Sequence, residues 1–175
     1  RAKGVNLITA IEPATYYLGF NMLDPVVGGD SERNRKLRHA ISIAYDEQEQ
    51  ISIFRNGRGE VAMSPLPPGI FGYQEGEDGI NTKIFEWHDG VPLRKSLDSA
   101  RSLMREAGYP DGRDESTGAP LVLNLDTTIS MGDDSARQNW MIKQFAKLGI
   151  QLNIRATDYN RFQDKMETGR AQIFF

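Results

Sequence analysis

The feature that most constrains this chain is the regular exchange of helical and strand periods over its second half, where each helix is closed by a glycine. Ser96 is placed to cap a helix carrying Leu97, Ala100, Leu103, Met104 and Ala107 on one side, and Gly108 followed by Pro110 supplies its stop. Leu121, Leu123 and Leu125 then alternate with Val122 and Asn124 in a strand that runs out at Asp126-Thr127-Thr128. Asp133 or Asp134 opens the next helix, with Met141, Phe145 and Leu148 as its apolar stripe. Gly149 closes that helix ahead of a strand through Ile150, Leu152 and Ile154. Asp158 caps one more helix through Tyr159, Phe162 and Met166, and Gly169 precedes a last strand. The succession predicts an α/β domain, with crossover helices layered on a mixed, mainly parallel sheet in three layers.

The first half is less regular. Between Thr15 and Met22, Tyr16, Leu18, Phe20 and Met22 alternate with Tyr17, Gly19 and Asn21, the period of a strand. Asp30 and Ser31 can cap a helix in which Leu37, Ile41, Ala44, Gln48 and Ile51 fall near one face, ended by Asn56-Gly57. Beyond it, residues 57–95 read as a long loop rich in Pro and Gly, a kind of segment that in a compact domain is usually functional or disordered. Within that loop Pro65-Leu66-Pro67-Pro68-Gly69-Ile70-Phe71-Gly72-Tyr73 stands out. Proline stiffening lets Ile70, Phe71 and Tyr73 present apolar surface at low entropic cost, unless the loop folds those side chains into its own core.

Composition excludes several function classes. With 175 residues, 39% of them hydrophobic, the chain suits one domain, residues 1–175, that buries roughly two thirds of its unfolded surface. A net charge of -3 with scattered Lys and Arg offers no basic stripe, so nucleic acid is not an expected partner. Zero Cys and only His39 and His88 leave no metal-ligand spacing, and the serines lack a G-x-S-x-G turn. No metal, no cofactor and no catalytic residue is therefore expected. The enzymatic alternative is a small hydrolase using His39 or His88 with nearby carboxylates. The chain starts at Arg1 without an apolar signal core and stops inside the apolar run Ala171 to Phe175, so both ends are expected to be cut.

Several segments, read in order, resemble one family. The strand ending Tyr16-Tyr17-Leu18-Gly19-Phe20-Asn21, the helix Asn34-Arg35-Lys36-Leu37-Arg38-His39-Ala40-Ile41-Ser42-Ile43-Ala44-Tyr45-Asp46 and the Pro65 to Tyr73 loop are similar to extracytoplasmic solute-binding proteins. So are Ala100 to Pro110, Gln144 to Leu152, and Tyr159 to Phe175. That family, family 5, includes the oligopeptide-, dipeptide- and nickel-binding receptors of ABC importers. The resemblance implies a periplasmic-binding-protein-like lobe, the second of two. It also implies a secreted or lipid-anchored, periplasmic parent, a missing first lobe, an inner-membrane ABC permease as partner, and a peptide or other small solute as ligand. Solutes in the family range over peptides, metal chelates, opines and sugars. In such lobes ligands lie across strand ends and loops. The expected ligand-binding residues are accordingly Tyr17 and Asn21 after the first strand, Ile70, Phe71 and Tyr73 of the proline loop, and Thr127 and Thr128. Aromatic rings would form walls, while Asn21, Thr127 and Thr128 would hydrogen-bond a peptide-like backbone. For Asn21 the competing expectation is that it holds its own turn, and for Thr127-Thr128 that they only end a strand. A ligand-sensing module of a transcriptional regulator is the other non-enzymatic reading.

Overall fold

A computed structural model describes residues 4, 8, 10–129 and 134–175. In chain order these form β1 (Gly19–Phe20), α1 (Glu32–Ala44), α2 (Glu47–Phe54), β2 (Phe85–His88), β3 (Val91–Arg94), α3 (Leu97–Glu106), β4 (Val122–Thr128), α4 (Asp134–Ala146), β5 (Gln151–Thr157), α5 (Tyr159–Glu167) and β6 (Ile173–Phe174). Among the described residues the main sheet has the order β1-β6-β4-β5. Its β6, β4 and β5 are parallel and β1 runs antiparallel along the outer side of β6. The mixed, mainly parallel sheet expected from the alternating pattern is what forms.

Strand order explains the layers. The chain leaves β4 through α4 to β5 on one side, then returns through α5 to β6 on the other side of β4. Right-handed crossovers in opposite directions place their helices on opposite faces of a sheet. Leu123, Leu125, Leu152 and Ile173 accordingly share one core with Leu37, Ala40 and Ile41 of α1, Met104 of α3 and Met141 and Phe145 of α4. On the other face Lys165 of α5 forms an ion pair with Asp126, which neighbours Leu125 and is fully buried.

Caps and stops behave as their chemistry requires. Ser31, Asp46, Ser96 and Asp158 each accept a backbone N–H of the first turn of α1, α2, α3 and α5. Helix α4 is described from Asp134 onward, and Asp133, the other expected opening residue, lies outside the described residues. Gly112 and Gly149, with φ of 72° and 74°, meet back to back, so that the turn entering β4 rests on the turn entering β5. The Gly112 carbonyl accepts from Leu121 N at 2.7 Å and the Leu121 carbonyl accepts from Gln151 N at 3.0 Å, which sets the two strands level at their amino ends.

Three expectations need correction. The single helix expected up to Asn56-Gly57 is two, because the Asp46 carboxylate takes the Glu49 N–H and begins a new helix after the extended residue Tyr45. The strand expected from Thr15 to Met22 keeps only Gly19 and Phe20, since its partner β6 offers two residues and Asn21 turns the chain away. The loop expected over residues 57–95 contains the hairpin β2–β3. Asp89 and Gly90, with φ of 48° and 86°, form the two-residue connection that suits the strand twist. Its strands are four residues each and β3 holds Pro92, which hides them from a periodicity reading.

Candidate functional site

Because the connection leaving β4 passes through α4 on one face and the connection leaving β5 passes through α5 on the other, the sheet has a switch point between β4 and β5, and in open α/β sheets the crevice beyond the strand carboxyl ends at such a point is where ligands bind. Thr127 and Thr128 end β4 there, half-buried, in register with Ala156 and Thr157 of β5. Phe174 and Phe175 end β6 beside them, with Phe175 N donating to the Asp126 carbonyl at 3.1 Å. Since β1 is antiparallel, the residues that precede it arrive at this same edge. Tyr17 is 67% exposed and sets its ring edge-on to Phe174, centroids 6.4 Å apart. A Cβ on Gly19 would overlap the Phe174 ring, so only glycine lets that ring lie across β1.

The remaining expected residues divide. Asn21 follows β1 and sits at the opposite end of the sheet from Thr127. Its Nδ2 donates to the carbonyls of Gly169 and Ala171, both at 2.8 Å, and its Oδ1 accepts from Leu23 N at 3.0 Å. These bonds consume the amide in tying the β1 turn to the entry of β6. The proline loop is tethered to the carboxyl edge by Thr15, whose hydroxyl donates to the Pro65 carbonyl at 3.3 Å. Along it Phe71 is 101% exposed, Ile70 is exposed and Tyr73 is half-buried. Tyr17, Thr127 and Thr128 are thus brought to one edge, Ile70 and Phe71 stand out from the tethered loop, and Asn21 stands apart.

Helix α2 adds residues to this edge that periodicity alone passed over. Trp140 of α4 packs edge-on against Tyr45 and Phe54, with centroids at 5.1 and 6.0 Å. Both Trp140 Nε1 and Gln144 Nε2 donate to Glu49 at 2.9 Å. Glu47 pairs with Arg94, yet burial outweighs that neighbour and raises its pKa above the ordinary carboxylate value; burial likewise pushes the Tyr45 phenol up. So held, α2 delivers Arg55 over the face of Tyr16, 4.8 Å from the ring centroid, and Arg137 of α4 lies 5.7 Å from the Phe175 centroid. Tyr16, Arg55, Phe174 and Phe175 were not singled out from sequence. The available signals were the adjacent tyrosines 16 and 17 and the helix stop directly after Arg55.

The two histidines lie in different places. His39 is on α1, where burial and the cations Lys83, Arg38, Arg35 and Lys95 lower its pKa, and His88 is on the exposed hairpin, 3.5 Å from Glu86.

The family model for bacterial extracellular solute-binding proteins, family 5, middle part, matches residues 1–175. The chain belongs to that family. Among curated relatives of this family-5 chain, heme-binding protein A of Haemophilus influenzae is 24% identical over 136 residues, covering 78% of this chain and 22% of that protein. The oligopeptide-binding protein AppA of Bacillus subtilis is 21% identical over 171 residues, covering 94% of this chain and 28% of its own length. Among solved structures, the ABC transporter-associated periplasmic binding protein DppA from Helicobacter pylori, in complex with the peptide STSA, superposes with a TM-score of 0.66 at 21% identity. That match covers 90% of this chain and 25% of the other. The chain therefore spans about a quarter of the length of the relatives it matches, and its fold is that of a periplasmic-binding-protein lobe. Family-5 members are binding proteins, which agrees with the expectation of a binding role over an enzymatic one.

Proposed function

We propose that this chain is one lobe, the second of two, of the substrate-binding component of an ABC importer, taking a peptide or similar small solute into a cleft closed by the other lobe. The observation that carries the reading is the carboxyl edge of the sheet at the β4–β5 switch point, where Thr127 and Thr128 end β4 and Tyr17 and Phe174 stand on the neighbouring strands β1 and β6. Hydroxyl groups of Thr127 and Thr128 suit the amides of a peptide backbone, and exposed rings suit its side chains. Ile70 and Phe71 of the proline loop would extend the apolar wall. Closure of the two lobes about a hinge would then offer the loaded form to an inner-membrane permease, in the periplasm. The names of the oligopeptide-binding relative and of the peptide-bound structural neighbour support the ligand class.

The test is calorimetric titration of the full-length protein with pools of di- to pentapeptides. Binding should be present, and Tyr17→Ala or Thr127→Val should weaken it by about three- to tenfold, the effect of one lost hydrogen bond or wall contact. Unchanged affinity in both variants would remove the carboxyl edge from the binding cleft.

A further inference from the structure

At the amino end of the sheet, away from Thr127 and Thr128, lies a cavity of about 180 Å³ lined by Arg101, Met104 and Arg105 of α3, by Asp111 in the turn that meets Gly149, and by Lys147 and Leu148 just past α4. Met104 and Leu148 are buried and form its floor, while Arg101, Arg105 and Asp111 are exposed at its rim. The volume is several times the share of one water, enough for a phosphoryl group.

Three cations here stand against one acid, Asp111, and among the described residues none of them pairs with it. Arg101 reaches Asp98 at 3.2 Å, an exposed pair of the kind that water nearly cancels. Lys147 donates to Gln144 Oε1, a neutral partner. The Arg105 guanidinium has neither an ion pair nor a hydrogen bond among the described residues.

The needs of the fold do not account for this set. Like charges four residues apart on one helix face repel, so Arg101 and Arg105 weaken α3. A cation at a helix carboxyl end offsets the helix dipole, which covers Arg105 and Lys147, but that effect is confined to the last turn and Arg101 lies inside it.

We propose that this cavity is a phosphate-binding site, with Arg101, Arg105 and Lys147 as its cationic donors. A guanidinium offers phosphate oxygens two parallel N–H···O bonds, and an ammonium adds a compact point charge. The group comes from one of two sources, a free phosphorylated compound or the headgroup of an anionic phospholipid. The site stands at the opposite end of β4 from the carboxyl edge, so it does not depend on how that edge is read.

The full-length protein is titrated calorimetrically with inorganic pyrophosphate at about 0.15 M ionic strength, where diffuse surface attraction is largely screened. In parallel it is sedimented with vesicles of phosphatidylcholine, alone or mixed with phosphatidylglycerol. Saturable binding of pyrophosphate supports the site and points to a free phosphate compound; sedimentation that requires phosphatidylglycerol supports it and points to the headgroup. Arg105→Gln combined with Lys147→Gln should weaken the observed binding by about tenfold or more, the size of one charge-assisted hydrogen bond. Arg35→Gln combined with Arg58→Gln removes the same charge from exposed positions elsewhere and should leave binding unchanged. The single variant Arg101→Gln should weaken binding too, without lowering the melting temperature, because it relieves the like-charge pair on α3. Equal weakening by the two double variants would reduce the effect to net charge and overturn the assignment. Absence of binding in both arms overturns it as well, as does an Arg101→Gln variant that loses thermal stability but keeps its affinity.

Discussion

Replacing Gly112 by Ala should be among the most damaging single-methyl additions in this chain, and the size of the effect can be apportioned. At φ 72° an L side chain is strained, a penalty of about 1–2 kcal/mol. A Cβ there would also stand 2.7 Å from the Gly149 Cα and closer still to its carbonyl group, both backbone atoms that no rotamer change can move. Forcing that contact adds about 1–3 kcal/mol, so a total loss of about 2–5 kcal/mol is expected. Gly118 supplies the control, because its φ of 71° is nearly the same while nothing lies within 4 Å of a Cβ built on it. Gly118→Ala should cost only the conformational share, about 1–2 kcal/mol. Urea denaturation of the full-length protein, followed by far-ultraviolet dichroism, measures both. Equal losses in the two variants would refute the claim that the turns entering β4 and β5 are locked backbone to backbone.

Lys165→Met should destabilise by about 3 kcal/mol or more, because the Asp126 side chain, 1% exposed, would be left charged without a partner. Asp126→Asn should cost less, about 1–2 kcal/mol, since the Lys165 side chain is 24% exposed and can reach water; denaturation midpoints that reverse this order would contradict the pairing. Asp114 accepts from Ser116 and Thr117 and from Arg33 at 2.7 Å, and these donors, the Ser116 hydroxyl first, lower its pKa below 3.8. A depressed folded-state pKa means that its stabilisation is present above 3.8 and is lost as pH falls below it. The melting temperature of wild type should accordingly approach that of Asp114→Asn on acidification through that range, and a constant gap between them would count against the loop linkage.

What was legible in the sequence follows from how local each signal is. The parallel half of the sheet was readable because Gly108, Gly149 and Gly169 each end a helix within its own few residues and the leucines of β4 alternate without interruption. The break at Asp46 was missed because the stripe from Leu37 to Ile51 continues across it, and only the side chain's competition for the Glu49 N–H interrupts the helix. The hairpin was missed although Asp89-Gly90 is a strong turn signal, since its flanking strands are short and follow a run of prolines and glycines. For the candidate site, Thr127 and Thr128 could be placed at a strand's carboxyl end because that end is visible in sequence. Tyr17 and Asn21 are four residues apart and were grouped, yet an antiparallel β1 sends them to opposite ends of the sheet, a fact of pairing that no local pattern carries.

That separation also divides the sheet's two ends by task. At the amino end the Gly112–Gly149 contact and the three hydrogen bonds of Asn21 hold the chain with backbone partners. At the carboxyl end, side chains that could have been buried are left out: Tyr16, Tyr17 and Phe71 are exposed, while Thr128 and Tyr17 flank a strand, β6, only two residues long. Large exposed rings cost solubility and contribute little stability unless something covers them. The same end is where opposed crossovers open a crevice, and under the two-lobe reading proposed above a solute and the surface of an opposing lobe would supply that covering, with Gly19 letting Phe174 form part of the floor.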